Sequence, residues 1–165
     1  MTRPLIARFL AAPESQVSDG NRTNAEWDEV TRLKRRLGAV LAPIVRSEGV
    51  EQVATATGLE PEQVEAIGEL PASGTDPIDE LSLRTVAAIL AIESSYRPVS
   101  VRGRIRDHLI VQMSRGPIDV DTVASRYGFG DAETLRSKIE AEAPFPVREY
   151  VRLRVALSDG PNRKP

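Results

Sequence analysis

Cysteine is absent from this 165-residue chain, and histidine occurs once, as His108. Without cysteine the chain has no disulfide framework, no thiolate metal site and no thiol nucleophile. A single histidine also excludes a multi-histidine metal site within one copy of the chain. We therefore expect neither a metal nor another cofactor.

Long apolar runs are also missing. The longest runs from Val86 to Ile92, whereas a membrane-spanning helix needs about 20 apolar residues. Near the N-terminus, Arg8 interrupts the short apolar stretch, which leaves no continuous core for a signal peptide. These features predict a cytoplasmic protein without a membrane partner.

Aromatic residues make up only 4% of the chain and hydrophobic residues 41%, so the expected core is aliphatic. Apolar residues recur at intervals of three and four, and no stretch alternates with period two over strand length. The sequence therefore predicts an all-α fold. The expected helices span residues 25–47 (capped by Asn24, and kinked or split by Pro43), 50–57, 61–70, 82–94 (begun by Ser82), from Arg97 or Ser100 to 115, 120–127 (capped by Asp119), 132–143 (capped by Asp131) and 147–158.

An internal repeat relates the two halves of this pattern. Matching segments are Val50–Ala54 with Val120–Ala124, Gly58-Leu59 with Gly128-Phe129, and Leu83-Arg84 with Val147-Arg148. Either a duplication or the general similarity of short amphipathic helices explains the match. We expect two four-helix lobes that pack together, residues 25–96 and 97–158, hereafter the first and second halves. A flexible arm, 1–24, and a tail, 159–165, flank them.

Each half carries the pattern of a helix-turn-helix. A small residue allows close crossing of the two helices, a glycine makes the turn, and an apolar residue fills the wedge between them. In the first half Ala54, Gly58 and Leu59 match these positions. Over Leu33–Ile92 this half resembles the Cro-like (xenobiotic-response-element) helix-turn-helix group.

In the second half Ala124, Gly128 and Phe129 match the same positions. The run Val123–Leu135, with Tyr150 downstream, is similar to the second helix-turn-helix of AraC-type regulators. It departs from that pattern at residues 140–142, where Glu-Ala-Glu replaces a basic run, and at Pro144, where glycine is usual. The resemblance implies the fold of a DNA-binding regulator.

A third resemblance covers the second half as a whole. The segments Arg106–Ile110, Asp119–Ala124 and Lys138–Pro144 are similar to small uncharacterised proteins of halophilic archaea. This resemblance implies no particular activity.

Charge is distributed unevenly between the halves. Residues 25–96, the first half, contain thirteen acidic and six basic residues, a net charge of −7, whereas residues 97–165, the second half together with the tail, contain nine acidic and thirteen basic residues, a net charge of +4. In the first half the second helix of the helix-turn-helix carries Glu60, Glu62, Glu65 and Glu69. Phosphate would repel these carboxylates, so we expect that helix to face solvent or a protein partner.

The second half is the expected nucleic-acid contact. If Leu135 and Ile139 face inward, Arg136, Ser137 and Glu133 lie on the outer face of the second helix of its helix-turn-helix. Arginine suits bidentate contact with phosphate or guanine. Further cations expected to contribute are Arg126, Arg102, Arg104 and Arg106, together with Arg148, Arg152 and Arg154. Alternatively, these arginines form ion pairs with Asp107, Asp131, Glu140 and the acidic first half.

No combination of residues indicates catalysis. Asp119 and Asp121 lie at a helix start, where acidic residues stabilise the helix, and His108 has no evident catalytic partner. The sequence therefore predicts a non-enzymatic helix-turn-helix protein, a DNA-binding or transcription-associated regulator that acts through the second half. The alternative is a protein-interaction module, with a partner or self-association at the acidic first half.

Overall fold

A computed structural model describes residues 5–10, 22–70, 76–94, 96–115, 119–140 and 144–158 of the chain. Most of the predicted flexible arm and the predicted tail, 159–165, lie outside these residues. Within them the chain forms the helices α1 (Leu5–Leu10), α2 (Arg22–Glu48), α3 (Val50–Thr57), α4 (Pro61–Gly68), α5 (Asp76–Asp79), α6 (Leu83–Glu93), α7 (Pro98–Arg115), α8 (Val120–Arg126), α9 (Ala132–Ile139) and α10 (Val147–Ser158). The all-α prediction is confirmed.

Local sequence signals set most helix boundaries. Three polar side chains accept the backbone N–H three residues later, as N-caps do: Ser82 from Thr85 at 3.1 Å, Asp119 from Thr122 at 2.8 Å and Asp131 from Thr134 at 2.7 Å. Gly58 and Gly128 have φ of 75° and 76°. This left-handed conformation, which favours glycine, lets the chain turn after α3 and after α8.

The structure differs from the predicted boundaries in three places. Helix α2 begins at Arg22, so Asn24 lies inside it and does not cap it. The predicted split at Pro43 does not occur, because Pro43 is exposed while Ala42 and Ile44 on either side of it are buried. Packing of the flanking residues therefore outweighs the hydrogen bond lost at proline. Part of the predicted loop before Ser82 forms the short helix α5.

The described part of the N-terminal arm packs into the core. Ile6 and Phe9 of α1 are 7% and 1% exposed. The Phe9 ring stacks on the Tyr150 ring of α10 with centroids 5.8 Å apart. Helix α1 therefore joins the core instead of extending loosely from it.

The two halves share one hydrophobic core. Helix α2 packs on α3, α4 and α6, and α10 from the second half also packs on α2. Reciprocally, α6 from the first half packs on α7. Buried residues from both halves, among them Leu41, Ile89, Val151 and Leu153, belong to a single cluster. Each half therefore completes the packing of the other.

An isolated antiparallel bridge joins the starts of α6 and α10. The Leu83 N–H donates to the Phe145 carbonyl at 2.9 Å, and the Val147 N–H donates to the Leu81 carbonyl at 2.7 Å. Leu83 and Val147 are the residues that the internal repeat aligns. The two hydrogen bonds are thus equivalent under the sequence alignment of the two halves.

Candidate functional site

The α8–α9 pair is the predicted nucleic-acid contact, and the apolar residue after its glycine turn packs between the two helices. The Phe129 N–H donates to the Ala124 carbonyl at 2.9 Å, and the Phe129 side chain is 5% exposed. In α9 both Leu135 and Ile139 are buried. The prediction that these two residues face inward is therefore confirmed, and the opposite face of α9 meets solvent.

Three of the predicted contact residues lie on α9. Arg136 and Glu133 are exposed, whereas Ser137 is half-buried. Arg126, at the end of α8, is also exposed, and its guanidinium carbon lies 5.9 Å from the centre of the Tyr127 ring. The outer surface of this pair therefore offers two exposed guanidinium groups.

Arg102 does not contribute to that surface in the same way. Its side chain is half-buried, and Nη2 donates to the Lys138 carbonyl at 3.1 Å and to the Ile139 carbonyl at 3.5 Å. These carbonyls belong to the last turn of α9, where acceptors lack partners within the helix. Burial and the neighbouring Arg106 lower the pKa of Arg102. Arg102 thus attaches the end of α9 to α7.

The other two predicted arginines of α7 also contact the protein. The Arg104 guanidinium lies over the Tyr96 ring at 4.3 Å, although the side chain is exposed. Arg106 forms ion pairs with Asp107 at 3.1 Å and with Glu140 at 3.8 Å. The predicted alternative, pairing of these arginines with nearby carboxylates, therefore holds for Arg106.

Further ion pairs engage cations of the second half. Lys138 pairs with Glu149, and Arg148 pairs with Glu80 of the first half at 2.7 Å. Exposed carboxylates also lie on α8 and α9 or at their ends: Asp119, Asp121, Asp131, Glu133 and Glu140. The structure thus brings the predicted contact residues onto neighbouring helices, but mixes them with acidic groups.

Sequence inspection placed Arg154 among the surface cations, and this was wrong. Arg154 is fully buried, with Nη1 donating to the Tyr150 hydroxyl at 2.9 Å and Nη2 to the Leu10 carbonyl at 3.0 Å. Burial raises the pKa of Tyr150, and the nearby Arg154 opposes that rise. Arg154 lies between Leu153 and Val155, which are also buried. Nothing in this local sequence pattern indicates that the arginine faces the core as well.

His108 lies on α7 and is half-buried. Burial lowers its pKa, and the positive charge of Arg154 lowers it further. Both effects favour the neutral imidazole. Among the described residues, no group of three or more histidine, aspartate or glutamate side chains is arranged to hold a metal ion.

The first half presents an acidic surface on α4. Glu60, Glu62, Glu65 and Glu69 are all exposed, as predicted. The start of the helix is fixed by a capping box, in which the Gln63 side-chain oxygen accepts the Glu60 backbone N–H at 3.0 Å. Reciprocal capping of this type holds the first turn in place.

A cleft of about 510 Å³ lies beside α4. Its described lining consists of Leu59, Glu62, Gln63, Ala66, Pro77, Glu80, Leu81, Ser82 and Thr85. Helix α4 forms one wall, and α5 with the start of α6 forms the other. Sequence inspection missed this cleft because its walls are separated in the chain by a segment that was predicted only as a loop.

In the described part of the chain, no helix is both long and apolar enough to cross a membrane.

Comparison with known proteins identifies a family for this chain. No curated protein and no solved structure matches the chain. A family profile matches residues 33–160, which include most of both halves. The chain belongs to the family of unknown function DUF5791.

Proposed function

We propose that this protein is a non-enzymatic protein-interaction module that keeps a helix-turn-helix-like packing. The observation that carries the proposal is the engagement of second-half cations within the protein itself. Arg154 is buried, Arg102 donates to the end of α9, and Arg106 pairs with two carboxylates. Nucleic-acid affinity depends largely on cations that are available to phosphate.

The acidic surface of α4 supports the same proposal. In a helix-turn-helix the second helix is the one that enters the major groove. Here that helix carries four exposed glutamates in the first half. By alignment of the N-caps Glu60 and Asp131, Glu65 of α4 corresponds to Arg136 of α9. The other three glutamates, Glu60, Glu62 and Glu69, correspond to Asp131, Glu133 and Glu140, so the second helix of the second half is also mostly acidic apart from Arg136.

Duplex DNA is the second candidate partner, with the second half acting as in a transcription regulator. The specific observation in its favour is the exposure of Arg136 and Arg126 on the helix-turn-helix-like pair, with Arg104 exposed on the adjacent α7. A footprint of a few such cations would give binding that weakens steeply with salt.

Fluorescence anisotropy with random-sequence duplex DNA across a salt series tests both candidates. The variant Arg136→Ala removes the central cation of α9, and Arg32→Ala, at an exposed position of α2, is the matched control. For an interaction module we expect no binding at about 50 mM salt, where a footprint of several phosphates is visible. Salt-sensitive binding that Arg136→Ala weakens and Arg32→Ala leaves unchanged would overturn the proposal in favour of DNA.

A further inference from the structure

We propose that the cleft between α4 and the start of α6 is a docking site for a cationic amphipathic peptide segment of a partner protein. This inference rests on the proposed function, because it names the chemistry of the partner that the interaction module would bind. The cleft lies in the first half, away from the α8–α9 surface that DNA would use.

Part of the lining of the cleft is apolar. Leu59 and Ala66 are half-buried in its wall, and Pro77 and Leu81 complete the apolar lining. Its volume of about 510 Å³ lies in the range of about 300–1,000 Å³ that is typical of ligand sites. An aliphatic side chain of a partner that docks there would move out of water and into contact with this apolar lining. The apolar anchors of an amphipathic helix bind a groove in the same way.

The rims of the cleft are acidic. Glu62 on the α4 side and Glu80 on the opposite side are both exposed, and no basic residue is among the described residues that line the cleft. Glu65 and Glu69 extend the negative charge along α4. A cationic peptide complements this pattern, whereas phosphate groups and anionic lipid headgroups would be repelled.

Glu80, on one rim of the cleft, already forms an ion pair with an arginine of the same chain. Arg148 reaches Glu80 from α10, with Nη1 2.7 Å from the carboxylate oxygen. Both side chains remain largely exposed, at 49% and 79%. Glu80 thus binds a guanidinium group while both side chains stay largely exposed to solvent.

Hydrogen bonds hold described backbone segments on both walls of the cleft. The capping box holds the first turn of α4. Leu81, on the opposite wall, accepts the N–H of Val147 at 2.7 Å, and Ser82 caps α6. Walls that are ordered before binding lose little conformational freedom when a partner docks.

Binding of a synthetic probe tests the inference. The probe is a fluorescein-labelled peptide of about twelve residues, with leucines at helical spacing and arginines between them. A matched peptide with glutamate in place of arginine is the control. We expect anisotropy to show saturable binding of the arginine peptide and none of the glutamate peptide.

Two variants test whether binding occurs in the cleft. Leu59→Phe changes the shape of its apolar lining, and phenylalanine is the residue at the equivalent turn position of the second half, Phe129. We expect this variant to weaken binding about tenfold. Glu62→Gln changes one exposed rim charge without altering the core, and we expect a loss of about two- to fivefold. Glu51→Gln, at an exposed position of α3 outside the cleft lining, should leave the affinity unchanged.

The outcomes separate this inference from the proposed function. If the arginine peptide does not bind, or if all three variants bind it equally, the cleft is not the docking site, while the interaction-module proposal stands as long as duplex DNA does not bind. If duplex DNA binds through Arg136, the proposed function fails whatever the peptide does. Circular dichroism of Leu59→Phe verifies its fold, and Glu62→Gln decides the question if that variant is misfolded.

Discussion

Leu83 and Val147 occupy equivalent places in the two halves, and each donates its backbone N–H to the segment that precedes the other. Leu83 bonds to the Phe145 carbonyl and Val147 to the Leu81 carbonyl. Both residues are also buried, so the polar bridge lies beside the shared core. The start of α6 and the start of α10 are consequently positioned by each other.

The shared core predicts that the two halves unfold together. Leu153 on α10 is fully buried, and Leu153→Ala should lower the free energy of unfolding by about 2–5 kcal/mol because it leaves a cavity. The measurement is urea denaturation followed by circular dichroism and by fluorescence of Trp27, the single tryptophan, which belongs to the first half. Both signals should move to the same lower midpoint.

Val99→Ala is the control for that experiment, because Val99 is 74% exposed and its truncation should change stability by less than about 0.5 kcal/mol. Independent halves would give another result. The Trp27 midpoint would then stay at the wild-type value while circular dichroism showed two transitions.

Attachment of α9 to α7 gives a second prediction. Arg102→Ala removes the donor to the Lys138 and Ile139 carbonyls, and should lower the free energy of unfolding by about 1–2 kcal/mol. Arg97→Ala, at an exposed position just before α7, should change it by less than about 0.5 kcal/mol. Equal effects of the two substitutions in urea denaturation would mean that Arg102 does not hold α9.

Half-buried His108 gives a third prediction. Its pKa is lowered in the folded protein by burial and by Arg154, so the unfolded chain binds the proton more readily. Its contribution to stability is therefore complete above the unfolded pKa of about 6.5 and is lost as the pH falls from there toward the lowered folded pKa. His108→Gln should remove this part of the pH dependence.

The measurement is the free energy of unfolding of wild type and His108→Gln at several pH values between 8 and 5. The wild-type value minus the variant value should be constant at the upper end and should decrease below about pH 6.5. Because other titrating groups act on both proteins, they cancel in this difference. A difference that does not change with pH would show that folding does not lower the pKa of His108.

Sequence patterns were most reliable for local structure. The N-caps Ser82, Asp119 and Asp131 and the glycine turns at Gly58 and Gly128 were all recognised, because each involves atoms only a few residues apart. The predicted inward positions of α9 followed from helical periodicity for the same reason. The split expected at Pro43 does not occur, because continuation of the helix through a proline depends on how the flanking residues pack.

The candidate sites were less predictable. Sequence alone grouped Arg102, Arg106, Arg136 and Arg154 as cations, but burial separates them into a helix attachment, an ion-paired group, an exposed group and a core residue. The cleft beside α4 also depends on contacts between segments far apart in the chain. Neither feature has a short-range sequence signal.

The sequence by itself determined the all-α class, most helix boundaries and the opposite net charges of the two halves, since these follow from residue type and spacing. Only the tertiary structure decided that α10 completes the core against α2, that Ser82 and Pro146 pair, and which arginines reach solvent. Side-chain burial and hydrogen bonding between segments depend on which distant parts of the chain come into contact. These contacts are determined by the free energy of the whole packed core.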